Sequence, residues 1–85
     1  MKEDAAERSA RYLETAAEAL RRLSRKKLPT TVSRGQVDHV LELVRGYMKD
    51  AKHYVDKRKP VTSLACVAYA EGLLDALKYL ELVDL

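Results

Sequence analysis

The chain has no phenylalanine and no tryptophan, one cysteine, two prolines and three glycines in 85 residues. A single cysteine, Cys66, excludes a disulfide within the chain and any CxxC or Cys/His zinc module. So few helix breakers, set against many Ala, Leu, Glu, Lys and Arg, predict an all-helical protein. Long hydrophobic runs are missing too. The longest uncharged stretch, Pro60 to Ala70, falls well short of the ~20 residues that cross a membrane, and the opening MKEDAAERSA is acidic and polar, unlike a signal peptide. With 47% hydrophobic and 34% charged residues, the chain is too apolar for disorder. The expectation is a soluble, cytoplasmic protein with no membrane partner.

Length allows one domain, residues 1–85. Burial at about 25 cal/mol per Å² of apolar surface returns about 130 kcal/mol. Ordering the chain at about 1.5 kcal/mol per residue costs about the same. A lone monomer is therefore marginal, and association with a second copy is one way to gain stability.

Hydrophobic periodicity gives three helices in an antiparallel, up-down-up bundle. The first, about Glu3 to Lys26, carries Ala6, Ala10, Leu13, Ala16, Ala17, Leu20 and Leu23 at steps of three and four. Pro29 breaks the chain, and Ser33 with Gln36 forms an S-x-x-Q capping box. A second helix follows over 34–57, with a heptad seam of Val37, Leu41, Val44, Met48, Ala51 and Val55. Pro60 suits the first turn of a third helix, about 61–82. That helix is apolar almost all round, which marks it as the most buried, or as half of an interface between copies. Its small residues Ala65, Ala68, Gly72 and Ala76 are expected to face the large residues of the second helix, Ala51 meeting Ala65 and Val44 meeting Gly72. Gly72→Leu should then cost more than about 2 kcal/mol by overpacking.

The run from Tyr47 to Leu82 contains Asp50-Ala51, Tyr54, a charged turn, then Ala65, Tyr69-Ala70, Gly72 and Leu74-Asp75-Ala76. It resembles an archaeal family of small helical proteins known only as domain of unknown function 357. The resemblance implies an all-helical protein with no assigned activity. The family's turn usually has a glycine and an acidic residue where Arg58 and Lys59 stand here. Histidine is frequent at the position of Glu71, and tryptophan at that of Leu73.

Two sets of residues are candidates for function. Arg21, Arg22, Arg25, Lys26, Lys27 and Arg34 place six positive charges and no acid between positions 21 and 34. They are either phosphate contacts for nucleic acid or charges compensated by acids at the same end of the bundle. No aromatic residue interleaves them, so single-strand stacking lacks a platform. The second set is Tyr47, Asp50, Tyr54, Tyr69, Glu71, Gly72 and Asp75. It reads first as tyrosine hydroxyls bonded to helical carboxylates, and otherwise as a partner surface or a pocket built on Asp50 and Asp75. No nucleophile, oxyanion donor or phosphate loop accompanies it. His39 and His53 read as surface residues and Cys66 as a small core residue. Arg34 and His39 have the loose R-x4-H spacing of ribonuclease sites in HEPN domains, which coincidence explains better. Nothing calls for a metal or a cofactor. The leading expectation is a non-enzymatic interaction or scaffold module, its partner a second copy or another protein. Nucleic-acid binding is the alternative, and a small-ligand binder or enzyme using Asp50 and Asp75 the weaker one.

Overall fold

The computed structural model describes residues 4–85, so the expected helix start at Glu3 lies outside the described residues. The fold is all-α: α1 (Ala5–Arg22), α2 (Arg34–Asp56) and α3 (Pro60–Tyr79), joined at one end by two-residue strands β1 (Ser24–Arg25) and β2 (Val83–Asp84). Each helix start has a local cause. The Asp4 carboxylate accepts from the free N–H groups of Ala6 and Glu7, at 3.0 and 3.2 Å. Ser33 and Gln36 close the expected capping box at 3.1 and 2.9 Å. Pro60 stands in the first turn of α3, where its missing N–H removes nothing.

The C-termini of α2 and α3 close in the same way. The Lys59 N–H reaches Tyr54 O and the Arg58 N–H reaches Val55 O; likewise Leu82 reaches Leu77 O and Glu81 reaches Lys78 O. These are Schellman closures, which require a left-handed residue just past the cap. Arg58 and Glu81 fill that position, each with φ 59°. Left-handed geometry costs an L-residue about 1–2 kcal/mol, which explains why a turn of this kind favours glycine where Arg58 stands.

The second closure also shortens the third helix. It ends at Tyr79 rather than near Leu82, because Leu82 and Val83 turn inward and become buried. The first helix stops at Arg22, where Leu23 turns extended. Ser24 then pairs antiparallel with Asp84, and Arg25 with Val83. Two-residue strands have no periodicity of their own.

Both α1 and α2 pack on α3 and barely touch each other. Numbering rises together along α1 and α3: Ser9 meets Ser63, and Thr15, Ala16 and Ala19 share a cleft with Glu71, Leu74 and Asp75. The core joins Val37, Leu41, Val44 and Ala51 of α2 to Val67, Ala70, Leu74 and Leu77 of α3, with Ala16, Leu82 and Val83. Of the expected α2 seam, Met48 is only half-buried and Val55 is exposed. The α1 stripe splits: Ala16 is buried and Leu13, Leu20 and Leu23 are partly so, but Ala6 and Ala10 are open. α1 leans mainly on α3, so most of the side that would have met α2 is left uncovered.

The expected hairpin packing is corrected by one contact. The side of α3 that meets its neighbours holds Ser63, Val67, Ala70, Leu74 and Leu77. The ridge of Ala65, Ala68, Gly72 and Ala76 lies on the other side, exposed. A Cβ at Gly72 would touch nothing within 4 Å. Ala51 meets Ser63, not Ala65: the Ser63 hydroxyl donates to Ala51 O at 2.6 Å. That hydroxyl has one proton, already given to Ala51, so the Ser9 hydroxyl must be the donor in its 2.5 Å contact with Ser63 Oγ. One buried chain of hydrogen bonds thus ties α1, α3 and α2 together. Both serines are fully buried, so each hydroxyl needs these bonds.

Candidate functional site

A helix advances about 100° per residue, which fixes what lies opposite the buried side of α3. Val61, Ala65, Ala68, Gly72, Ala76 and Tyr79 fall there, flanked by Tyr69 and Leu80 on the side toward α2 and by Glu71 and Asp75 on the side toward α1. Exposure is high for the large members: 71% for Val61, 55% for Tyr69, 77% for Tyr79 and 68% for Leu80. A helix apolar on its outer as well as its inner side is unusual in a chain that functions alone. The surface continues onto α2, where the Tyr47 ring lies 4.5 Å from that of Tyr69, tilted by 42°, next to exposed Leu43.

Two glycines punctuate this surface. Gly46 lies inside α2 and Gly72 inside α3, and a Cβ would meet nothing within 4 Å at either. A glycine inside a helix costs about 0.5–1 kcal/mol relative to alanine. Nothing among the described residues requires either one.

The tyrosine and carboxylate set does not form one site, because α3 divides it. Asp50 lines a shallow notch on α2 with Glu42, Leu43, Gly46 and Tyr47. Asp75 and Glu71 line the α1/α3 cleft on the other flank, with Thr15, Ala16 and Leu85. Burial, and secondly the Asp75 charge, push the Glu71 carboxyl above its ordinary value. Tyr69 is exposed and meets Tyr47 ring to ring, rather than sitting buried against a carboxylate. Tyr54 meets His53 edge-on at 5.2 Å. Gly72 belongs to the outer face. Cys66 is half-buried, and its thiol is pushed up by burial and then by Asp50, so it is a poor nucleophile.

The basic run is largely paired within the molecule. Glu18 takes Arg21 in close contact and Arg22 at 3.7 Å; Asp38 of α2 takes Arg25 in close contact; Asp84 of β2 takes Lys26 at 3.4 Å. Among the described residues, Lys27 and Arg34 form no ion pair. Arg25 and Lys26 thereby fasten the first connection to α2 and to the end of the chain. Asp84 lies near the end of the third helix, where sequence reasoning placed the compensating acids, whereas Asp38 went unseen. Glu18 stands three and four residues before Arg21 and Arg22, the acid-first spacing that pairs along a helix.

Arg34, His39 and His53 are exposed. Among the described residues no group of three His, Cys, Asp or Glu is placed to hold a metal ion, and no helix is long and apolar enough to cross a membrane. The residues missed by sequence reasoning are Ser9 and Ser63, polar positions inside otherwise apolar stripes, and the exposed Val61, Tyr79 and Leu80. A family model described as Protein of unknown function (DUF357) matches residues 11–83. No curated protein and no solved structure matches the chain.

Proposed function

The chain belongs to DUF357, a family of proteins of unknown function, and we propose that it is a non-enzymatic interaction module that associates with copies of itself through the outer face of α3. The observation that carries the reading is Gly72: a helix-interior glycine with open space around it, in the middle of a face whose large residues are more than half exposed. Its cost within the monomer is offset only when another backbone comes close.

The size of the surface suits a modest interface. An aromatic side chain offers about 200 Å², so Tyr69 and Tyr79 at their exposures contribute about 260 Å². Val61, Leu80 and the small residues bring the face to on the order of 500 Å². Covered by an equal area of a second copy, this face removes about 1,000 Å² in total from water, where specific interfaces begin. Association should therefore be reversible and concentration-dependent.

Sedimentation velocity across a wide concentration range tests this. The weight-average mass should rise with concentration in the wild type and stay at the monomer value in Ala76→Glu, with equal helicity by circular dichroism at 222 nm. A wild type that remains monomeric throughout refutes the reading. The nucleic-acid alternative has less support, since four of the six basic side chains already face carboxylates. Filter binding to RNA at low salt that is lost on charge reversal of Lys27 and Arg34 would revive it.

A further inference from the structure

A second unfilled surface lies on the opposite side of the molecule. Because α1 and α2 barely touch, a groove of about 520 Å³ opens between them, lined by Ala10, Leu13, Glu14 and Ala17 of α1 and by Met48, Lys49 and Lys52 of α2. No residue of α3 lines it. The radius of gyration, 13.9 Å, exceeds the roughly 12 Å expected for a compact domain of this length. The molecule is elongated, 46 × 23 × 18 Å, with an apolar ridge on one side and an apolar groove on the other.

We infer that the groove between α1 and α2 receives the outer ridge of α3 from a second copy, so that each molecule docks head to tail on the next. This rests on the self-association proposed above and names what covers the face. Charge decides between this arrangement and an antiparallel pairing of two ridges. The ridge carries Glu71 and Asp75 along one flank, and the groove carries Lys49 and Lys52 along its α2 rim. A two-fold axis across two antiparallel α3 ridges would bring the same flank of each copy together. Glu71 and Asp75 would then meet their own counterparts, although Asp75 already disfavours ionisation of Glu71 within one copy. Docked in the groove, the acidic flank meets lysines instead. Tyr69 and Leu80, on the other flank, come against Ala10 and Ala17, large residues on small ones. The arrangement is heterologous, so each copy keeps one free ridge and one free groove and the assembly stays open.

The experiment uses two exposed-surface variants of the full chain. Ala76→Glu spoils the ridge and keeps the groove; the double variant Lys49→Glu, Lys52→Glu spoils the groove and keeps the ridge. Equal helicity at 222 nm establishes that both fold. Wild-type mass should grow past the dimer with concentration. Each variant alone should sediment as a monomer, and the two mixed should form a 1:1 pair that grows no further. Adding Asp75→Lys to the lysine double variant should restore at least a tenfold gain in self-affinity at low salt. If the lysine double variant associates as the wild type does, ridge pairs with ridge: the inference falls and self-association stands. A mixture that stays monomeric while the wild type associates also overturns it. A monomeric wild type overturns both.

Discussion

Ser9 and Ser63 form a double-mutant cycle whose outcome follows from which hydroxyl donates. Ser63 donates to Ala51 O and accepts from Ser9, at 2.6 and 2.5 Å, and both serines are fully buried. Ser63→Ala removes two hydrogen bonds, each worth about 1 kcal/mol, and strands the Ser9 donor, which costs about 1 kcal/mol or more. The expected loss is about 3 kcal/mol. Ser9→Ala removes one bond and leaves Ser63 still donating to Ala51, for about 1 kcal/mol. In the double variant the bonds are gone but no donor is stranded, so the loss is about 2 kcal/mol, smaller than for Ser63→Ala alone. The coupling is therefore about −2 kcal/mol, well beyond the about 0.5 kcal/mol scatter of independent sites. Urea denaturation followed at 222 nm, at a concentration where the protein is monomeric, measures it from the midpoints if the slope is unchanged. Additive losses, or a double variant less stable than Ser63→Ala, would refute the direction of donation and the idea that this chain of bonds ties the helices.

Gly72→Ala should raise monomer stability by about 0.5–1 kcal/mol, since the new methyl group meets open space; a drop in the urea midpoint would return Gly72 to the core. Arg58→Gly and Glu81→Gly should each stabilise by about 0.5–1 kcal/mol, the relief of left-handed strain exceeding the added chain entropy. An unchanged or lowered thermal midpoint for both counts against the Schellman assignment. Glu71 has a folded pKa above its unfolded one, so its ionisation opposes folding. That penalty develops as pH rises from the unfolded toward the folded value and is constant above both. Glu71→Gln should therefore raise the denaturation midpoint at pH 7 and lose this advantage below about pH 4, where the wild-type carboxyl is protonated in both states. An equal effect at both pH values would point to a cause other than charge.

The candidate surface was half legible. An excess of apolar residues on the third helix is visible as composition around a helical wheel, and so is its small-residue ridge. Which side is covered is not visible, because Val67 and Leu74 are as apolar as Val61 and Leu80, and periodicity gives no phase when every side is hydrophobic. Ser9 and Ser63 supply the missing phase, but a serine inside an apolar stripe has the same pattern whether it faces a buried partner or water. The basic run was legible as charge, and so was the presence of acids at the same end of the bundle; which acid takes which cation, Asp38 for Arg25 and Asp84 for Lys26, depends on a chain reversal and a strand pair.

Local physics in the sequence determined the three helices, the Ser33–Gln36 capping box and the close connection before Pro60, since these depend on residues within a few positions of each other. The tertiary structure decided the rest. It turned the Ala65–Ala76 ridge outward, left α1 resting mainly on α3, shortened the third helix to bury Leu82 and Val83, and separated Asp50 from Asp75. The reason is that α3 can bury only one side against the helices of its own chain. The choice was settled by the fit of Ser63 to Ser9 and Ala51, across sequence separations of 54 and 12 residues, which no local pattern encodes.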